Sequence, residues 1–205
     1  MPFVTLEGGE GSGKSAQARR LEERLRARGF AVVSTREPGG TPVGEAVRGV
    51  VLHPPGGAPV DPLAELLLFE AARAQLVSTV IRPALERGAV VLCDRFADSS
   101  LAYQGYGRGL DLGLIERLNA VATGGLRPDL TLLLDVPVEV GLTRRRRMGD
   151  VNSLDGEDVA FHERVRQGYL ALARKEPSRW RIVDASRSED EVADAVWSAV
   201  REWLG

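Results

Sequence analysis

Phe3-Val4-Thr5-Leu6-Glu7-Gly8-Gly9-Glu10-Gly11-Ser12-Gly13-Lys14-Ser15 is the stretch that decides how this chain folds. Phe3 to Leu6 reads as a short buried strand and Ala16 to Arg28 as a helix. Between them, Gly8 to Ser15 matches G-x-x-x-x-G-K-[S/T], the phosphate-loop pattern. The glycines let backbone N–H groups turn inward around a phosphate, and the helix start adds its positive dipole. Lys14, one of only two lysines, is suited to neutralise β- and γ-phosphate oxygens, and the Ser15 hydroxyl suits Mg²⁺. On this reading Gly8, Gly9, Glu10, Gly11, Ser12, Gly13, Lys14 and Ser15 form a site for ATP or another nucleoside triphosphate.

Working outward, apolar runs alternate with amphipathic stretches. Strands are predicted at Phe3–Leu6, Ala31–Ser34, Ala89–Cys93, Leu130–Leu134 and Trp180–Val183. Helical patterns fall at Lys14–Arg28, Val43–Leu52, Pro62–Glu86, Leu112–Thr123, Val138–Arg147, Asp158–Lys175 and Glu189–Trp203. Strands apolar on both faces and separated by helices belong in a parallel sheet covered on both sides. The expected fold is therefore α/β, a doubly wound five-stranded parallel sheet of the phosphate-loop NTPase type. Ligands then bind at the carboxyl ends of the strands. Residues 1–205 read as one domain. His53–Pro59 is a Pro/Gly loop, and the polar segment Met148–Gly156 between two helices is a candidate mobile lid.

Composition narrows the function classes. A net charge of −2 gives no electrostatic case for nucleic-acid or membrane binding. No apolar run approaches the ~20 residues that span a bilayer, no secretory leader is legible, and the lone Cys93 suits a reducing compartment. The expected location is the cytoplasm. His53 and His162 stand apart, with no Cys/His cluster for zinc.

Several side chains at expected strand ends carry chemistry. Asp94 and Arg95 follow Val90–Cys93; the aspartate either holds a Mg²⁺ hydration shell beside Ser15 or caps the next helix. Arg36, in Thr35-Arg36-Glu37-Pro38-Gly39-Gly40, lies at a neighbouring strand end, and Arg48 sits in the following helix. Three arginines aimed at one anion suit a phosphate-bearing acceptor, which a plain ATPase does not need. Phe69 and Arg73 share a helix face, a spacing that also suits a core position. Gln104 lies in a Gly-rich stretch, where its amide either reads a base edge or belongs to a surface loop. Asp135 reads as a cap for the helix after Pro137. Arg144-Arg145-Arg146-Arg147 ends a helix, where cations are favourable in any case.

Taken together, FVTLEGGEGSGKS (3–15), TREPGGTPVGEAVR (35–48), LLLFEAARAQ (66–75), CDRFADSSLAYQGYGRG (93–109), RPDLTLLLDV (127–136) and GYLALA (168–173) resemble bacterial thymidylate kinases nearly end to end. The resemblance implies transfer of the ATP γ-phosphoryl group to dTMP, giving dTDP, with Mg²⁺ as cofactor and a homodimer packed through helices such as Pro62–Glu86. It implies that Phe69 stacks on thymine, that Arg73 meets its O4, and that Gln104 with Ser99 or Ser100 flanks the base. Tyr103 would crowd the ribose 2′ position and Glu10 approach the 3′-OH. Arg36, Arg48 and Arg95 would hold the acceptor phosphate, with Pro38 packed beside the nucleotide and Asp94 acting on Mg²⁺ through water.

One departure stands out. Members of this family take a transition-state arginine from the phosphate loop or from the lid. Here the loop carries Gly9, Glu10, Gly11 and Ser12, and the lid position appropriate to it is Ser153. The cation must come from Arg144–Arg147 or be absent; Arg146 or Arg147 is expected for catalysis, and Arg144 for the ATP site. Other classes meet contrary signals. A regulatory GTPase needs an N-K-x-D motif, which lysines at 14 and 175 alone exclude. A deoxynucleoside kinase has no use for the three-arginine set, and Phe69 with Arg73 speaks against other nucleoside monophosphates.

Overall fold

A computed structural model describes residues 2–147, 149, 154 and 156–204. Its sheet has five parallel strands: β1 (Phe3–Glu7), β2 (Val32–Arg36), β3 (Val90–Asp94), β4 (Leu130–Asp135) and β5 (Trp180–Asp184), in the order β2-β3-β1-β4-β5. Around it lie α1 (Lys14–Arg26), α2 (Pro42–Leu52), α3 (Pro62–Leu76), α4 (Arg82–Glu86), α5 (Ala97–Ser100), α6 (Leu112–Thr123), α7 (Val138–Arg147), α8 (Val159–Lys175) and α9 (Glu189–Leu204). Each predicted strand is present, one or two residues longer at its carboxyl end.

The two-residue period of the strands sorts the core onto two faces. Val4, Leu6, Val90, Leu92, Leu130, Leu132 and Leu134 cluster with Leu21, Leu25, Val192 and Val196 of α1 and α9. On the other face Phe3, Val91 and Cys93 join Leu76 and Ile81, while Leu133 joins the cluster under α3, α6 and α8. Thr5 and Thr131 share a buried hydroxyl pair at 3.0 Å.

Pro62–Glu86 was expected as one helix. The structure gives α3, a widened π turn at Val77–Ile81 and α4 in one run. Pro83 lacks an amide hydrogen and its ring crowds the carbonyl four residues earlier, and the widened turn lies there. Of the two readings open for Gln104, the surface loop is excluded: α5 continues as a π-helical run, Leu101–Gly107, almost wholly buried. Its glycines serve close packing. A Cβ at Gly105 would meet Leu112 at 2.4 Å, and one at Gly107 would meet Phe161 at 2.7 Å.

Candidate active site

The first two strand ends of the sheet interior build the site. The phosphate loop leaves β1 and enters α1 through Gly13, which adopts a left-handed φ of 87°. The loop is clamped from above by α7. A Cβ at Gly11 would meet the Gly141 carbonyl at 2.0 Å, and one at Gly141 would meet the Glu10 carbonyl at 2.3 Å. That mutual approach sets the register between the loop and the arginine run closing α7. Lys14 folds back on the loop, donating to the carbonyls of Gly8 at 3.1 Å and Gly9 at 2.8 Å and to Ser12 Oγ at 3.2 Å. Burial and then the charge of Arg95 push its ammonium down to about 8, against Glu10 and Asp94.

Beside α1, the Ser15 hydroxyl donates to Asp94 Oδ2 at the end of β3. Two hard oxygens thus adjoin where the phosphate loop would present a triphosphate. No group of three or more His, Cys, Asp or Glu side chains able to hold a metal occurs among the described residues. That donor set suits Mg²⁺, which keeps waters and phosphate oxygens in most of its positions.

Next to the loop opens a cleft lined by Glu10, Glu37, Pro38, Arg48, Leu52, Phe69, Arg73, Arg95, Ser99, Ser100, Tyr103, Gln104 and Leu154. It gathers ten of the eleven residues expected on the acceptor side. Arg36 is the exception: its guanidinium is half exposed and turned onto Glu45 at 3.1 Å. Arg48 donates to the Pro38 carbonyl at 3.1 Å. Arg95 adopts φ 68°, the one non-glycine with positive φ among the described residues, a conformation that costs energy and concentrates at functional sites. It donates to Glu10 Oε1 at 2.8 Å, Tyr103 Oη at 3.0 Å, Gly8 O at 3.0 Å and Tyr169 Oη at 3.1 Å. Burial alone would raise the Glu10 carboxyl, but the charges of Arg95 and Lys14, with a smaller contribution from Arg145, hold it down to about 2.

Arg73 is held on all sides. It donates to Glu37 at 2.9 Å, to Glu70 and Asn119 at 2.6 Å each, and to Ser100 at 3.1 Å. Burial pushes Glu37 up to about 7 despite that arginine, and Glu37 Oε1 has no partner among the described residues. Glu7, fully buried at the end of β1, accepts from the Phe96 N–H, Ser99 and Tyr169; burial and then Asp98 raise it to about 7. Sequence reading named Glu37 only as a neighbour of Pro38 and missed Glu7, Tyr169, Glu65 and Glu70 altogether. The one local signal for them was the acids' position at strand ends or on a helix face beside expected site residues.

The remaining expectations divide. Asp135, expected as a cap for the helix after Pro137, has its carboxylate paired with Arg166 at 2.8 and 2.9 Å. Arg144 reaches the loop after β5, donating to the carbonyls of Ala185 at 2.7 Å and Ser186 at 3.2 Å. Arg145 is half-buried, and Arg146 and Arg147 are exposed. The lid reading of 148–156 and the position of Ser153 fall largely outside the described residues, although Leu154 is described and lines the cleft.

A phosphate loop with its Ser–Asp oxygen pair, facing an arginine-bearing second cleft across Glu10, defines a phosphate-loop nucleoside monophosphate kinase. The thymidylate kinase family model matches residues 6–196. Among similar proteins, the thymidylate kinase of Deinococcus radiodurans is 58% identical over 98% of this chain and 96% of its own. That of Thermomicrobium roseum is 56% identical over 98% and 94%. A crystal structure of thymidylate kinase from Ehrlichia chaffeensis superposes with a TM-score of 0.77 at 34% identity, covering 97% of this chain and 98% of that one. The chain belongs to the thymidylate kinase family, whose members transfer a phosphoryl group from ATP to dTMP.

Proposed function

We propose that the phosphate loop holds ATP and the adjoining cleft holds dTMP, with Glu10 and Arg95 on the boundary between them. The observation that carries this reading is the convergence of Arg48, Phe69, Arg73, Arg95, Tyr103 and Gln104, drawn from four segments, on one cleft beside Lys14. Lys14 and the loop amides bind the β- and γ-phosphates. Ser15 and Asp94 hold Mg²⁺, which when bound screens charge on the phosphates. Arg95 and Arg48 hold the acceptor phosphate, and Arg36 joins them by leaving Glu45. Phe69 stacks on the base, Arg73 faces its 4-carbonyl, and Gln104 with Ser99 and Ser100 flanks it. Pro38 covers the nucleotide and Tyr103 crowds the 2′ position. The loop and clefts hold the two phosphates in line, and phosphoryl transfer depends mainly on such positioning and charge.

Arg144, anchored to the Ala185 and Ser186 carbonyls, is assigned to the ATP site. For the transferred phosphoryl group, Arg146 and Arg147 were the expected cations. Arg145 now joins them as the leading member, because its charge reaches Glu10 while the other two face solvent.

The homodimer is proposed through α2 and α3, where Val43, Val50, Leu63 and Leu67 are 39–48% exposed. The proposed compartment is the cytoplasm, where a free buried thiol such as Cys93 stays reduced. Calorimetric titration tests the two-site assignment. dTMP should bind without ATP, and Arg48→Ala should weaken dTMP while leaving ATP binding unchanged. Weakening of ATP alone would reverse the assignment.

A further inference from the structure

Gln104 lines the cleft at 1% exposure, and its amide has two ends to offer, an accepting oxygen and a donating NH₂. Which end meets a pyrimidine decides which pyrimidine is taken. N3 of thymine or uracil carries a hydrogen and needs an acceptor; N3 of cytosine is a lone pair and needs a donor. Nothing within Gln104 fixes the choice.

Glu65 fixes it. Gln104 Nε2 donates to Glu65 Oε1 at 2.8 Å, in a buried contact between the π-helical run and α3. Behind Glu65 stands Arg108, whose Nε and Nη2 reach Oε1 at 3.3 Å and Oε2 at 3.2 Å, and whose Nη1 donates to Glu157. A carboxylate with a guanidinium across both oxygens offers acceptors only. The Gln104 amide must therefore turn its NH₂ to Glu65; reversing it would set two buried acceptors against each other.

We propose that Glu65 is a specificity-determining positioning residue: it orients the Gln104 amide so that its oxygen meets the base, selecting pyrimidines protonated at N3 over cytosine. Arg108 holds Glu65 in place for that task. This inference rests on reading the cleft as the dTMP site. Glu65 touches no substrate and acts through Gln104.

The test compares kcat/KM for dTMP and dCMP in three proteins: wild type, Glu65→Gln and the double variant Glu65→Gln/Gln104→Glu. In Glu65→Gln the new amide at 65 can donate to the Gln104 oxygen, so the Gln104 NH₂ is free to turn to the base. The dTMP:dCMP ratio should fall by about tenfold or more, the scale set by one misplaced donor or acceptor in a substrate pocket. In the double variant the group at 104 has only acceptors and the amide at 65 faces it with NH₂. The ratio should return to within a few-fold of wild type. General loosening would instead lower both substrates together, and the second substitution would add to the damage. Should Glu65→Gln fail to fold by circular dichroism, Glu65→Met is read in its place, with the same fall expected. An unchanged ratio in the single variant, or no recovery in the double, overturns the proposal. A wild type with no preference for dTMP would instead overturn the reading of the cleft.

Discussion

Arg95 and Glu10 hold each other across the boundary between the two sites, with Arg95 Nη2 at 2.8 Å from Glu10 Oε1 and Tyr103 donating to the same oxygen at 2.8 Å. The phosphate loop is thereby tied to the acceptor cleft before any nucleotide arrives. On the proposed reading of the cleft, Arg95 exchanges part of this network for the acceptor phosphate, which frees Glu10 for a hydroxyl.

Arg95→Ala should lower kcat/KM for dTMP by ~10²-fold or more, the scale of a lost charge-assisted contact, and change the KM for ATP only a few-fold. Arg95→Lys should not restore it, because a point charge cannot reproduce the fork that reaches Glu10, Tyr103 and Gly8 together. Steady-state kinetics with each substrate varied in turn measures both. Loss confined to ATP would mean the two phosphate sites are exchanged.

Lys14→Ala should lower kcat by ~10²-fold or more, the scale of losing one preorganised charge stabiliser. Its hydrogen-bond partners among the described residues are loop groups, Gly8, Gly9 and Ser12. Thermal melting should therefore shift by only a few degrees. A large fall in melting temperature with retained turnover would contradict this role.

Much of this was legible because apolar runs have a period and the phosphate loop has a fixed spacing. The strand Val90–Asp94 and helix Val138–Arg147 follow from such local signals. The Leu101–Gly107 run did not. Gly105 and Gly107 signal a loop when read locally, yet they are small because Leu112, Phe161 and Val165 crowd them from other helices. Arg36 at a strand end looked equivalent to Arg48, but Glu45 nine residues later claims it. Glu7 and Glu65 were silent for a related reason. Their partners Ser99 and Gln104 lie 92 and 39 residues away, and no local pattern encodes such pairs.

The arginine run gives a graded prediction. Arg145→Ala should cut kcat at saturating substrates by tenfold or more, in the direction expected of a transition-state cation. Arg144→Ala should act mainly on the KM for ATP, since Arg144 is anchored to Ala185 and Ser186. Arg146→Ala and Arg147→Ala, exposed in this structure, should change kcat less than Arg145→Ala does. Rapid-quench measurement of the chemical step ranks them, and a largest loss at 146 or 147 would return the role to those residues.

Stability should depend on pH in a defined window. Glu7 and Glu37 are both raised from 4.5 to about 7. An acid raised on folding stabilises the fold fully below its unfolded pKa and withdraws that contribution as pH climbs through the folded value. Unfolding free energy should therefore fall between pH 5 and 7.5, by on the order of 1–3 kcal/mol per group. Glu10, held down to about 2, acts in the opposite sense only below that window, and Lys14, held down to about 8, only above it. Urea titrations across the range should show the fall in wild type and a flatter profile in Glu7→Gln. A rise from pH 5 to 7.5 would contradict the assignment of these two acids.

The most direct measurement is ADP release with Mg²⁺ and ATP across a panel of acceptors: dTMP, dUMP, dCMP, AMP and thymidine. The account predicts that dTMP is best, dUMP weaker, and dCMP, AMP and thymidine poor, because it assigns Phe69, Gln104 and Arg73 of the cleft to the base and Arg48 and Arg95 to a phosphate. Equal turnover of thymidine and dTMP would contradict it, since the arginines of the cleft would then have no anion to hold.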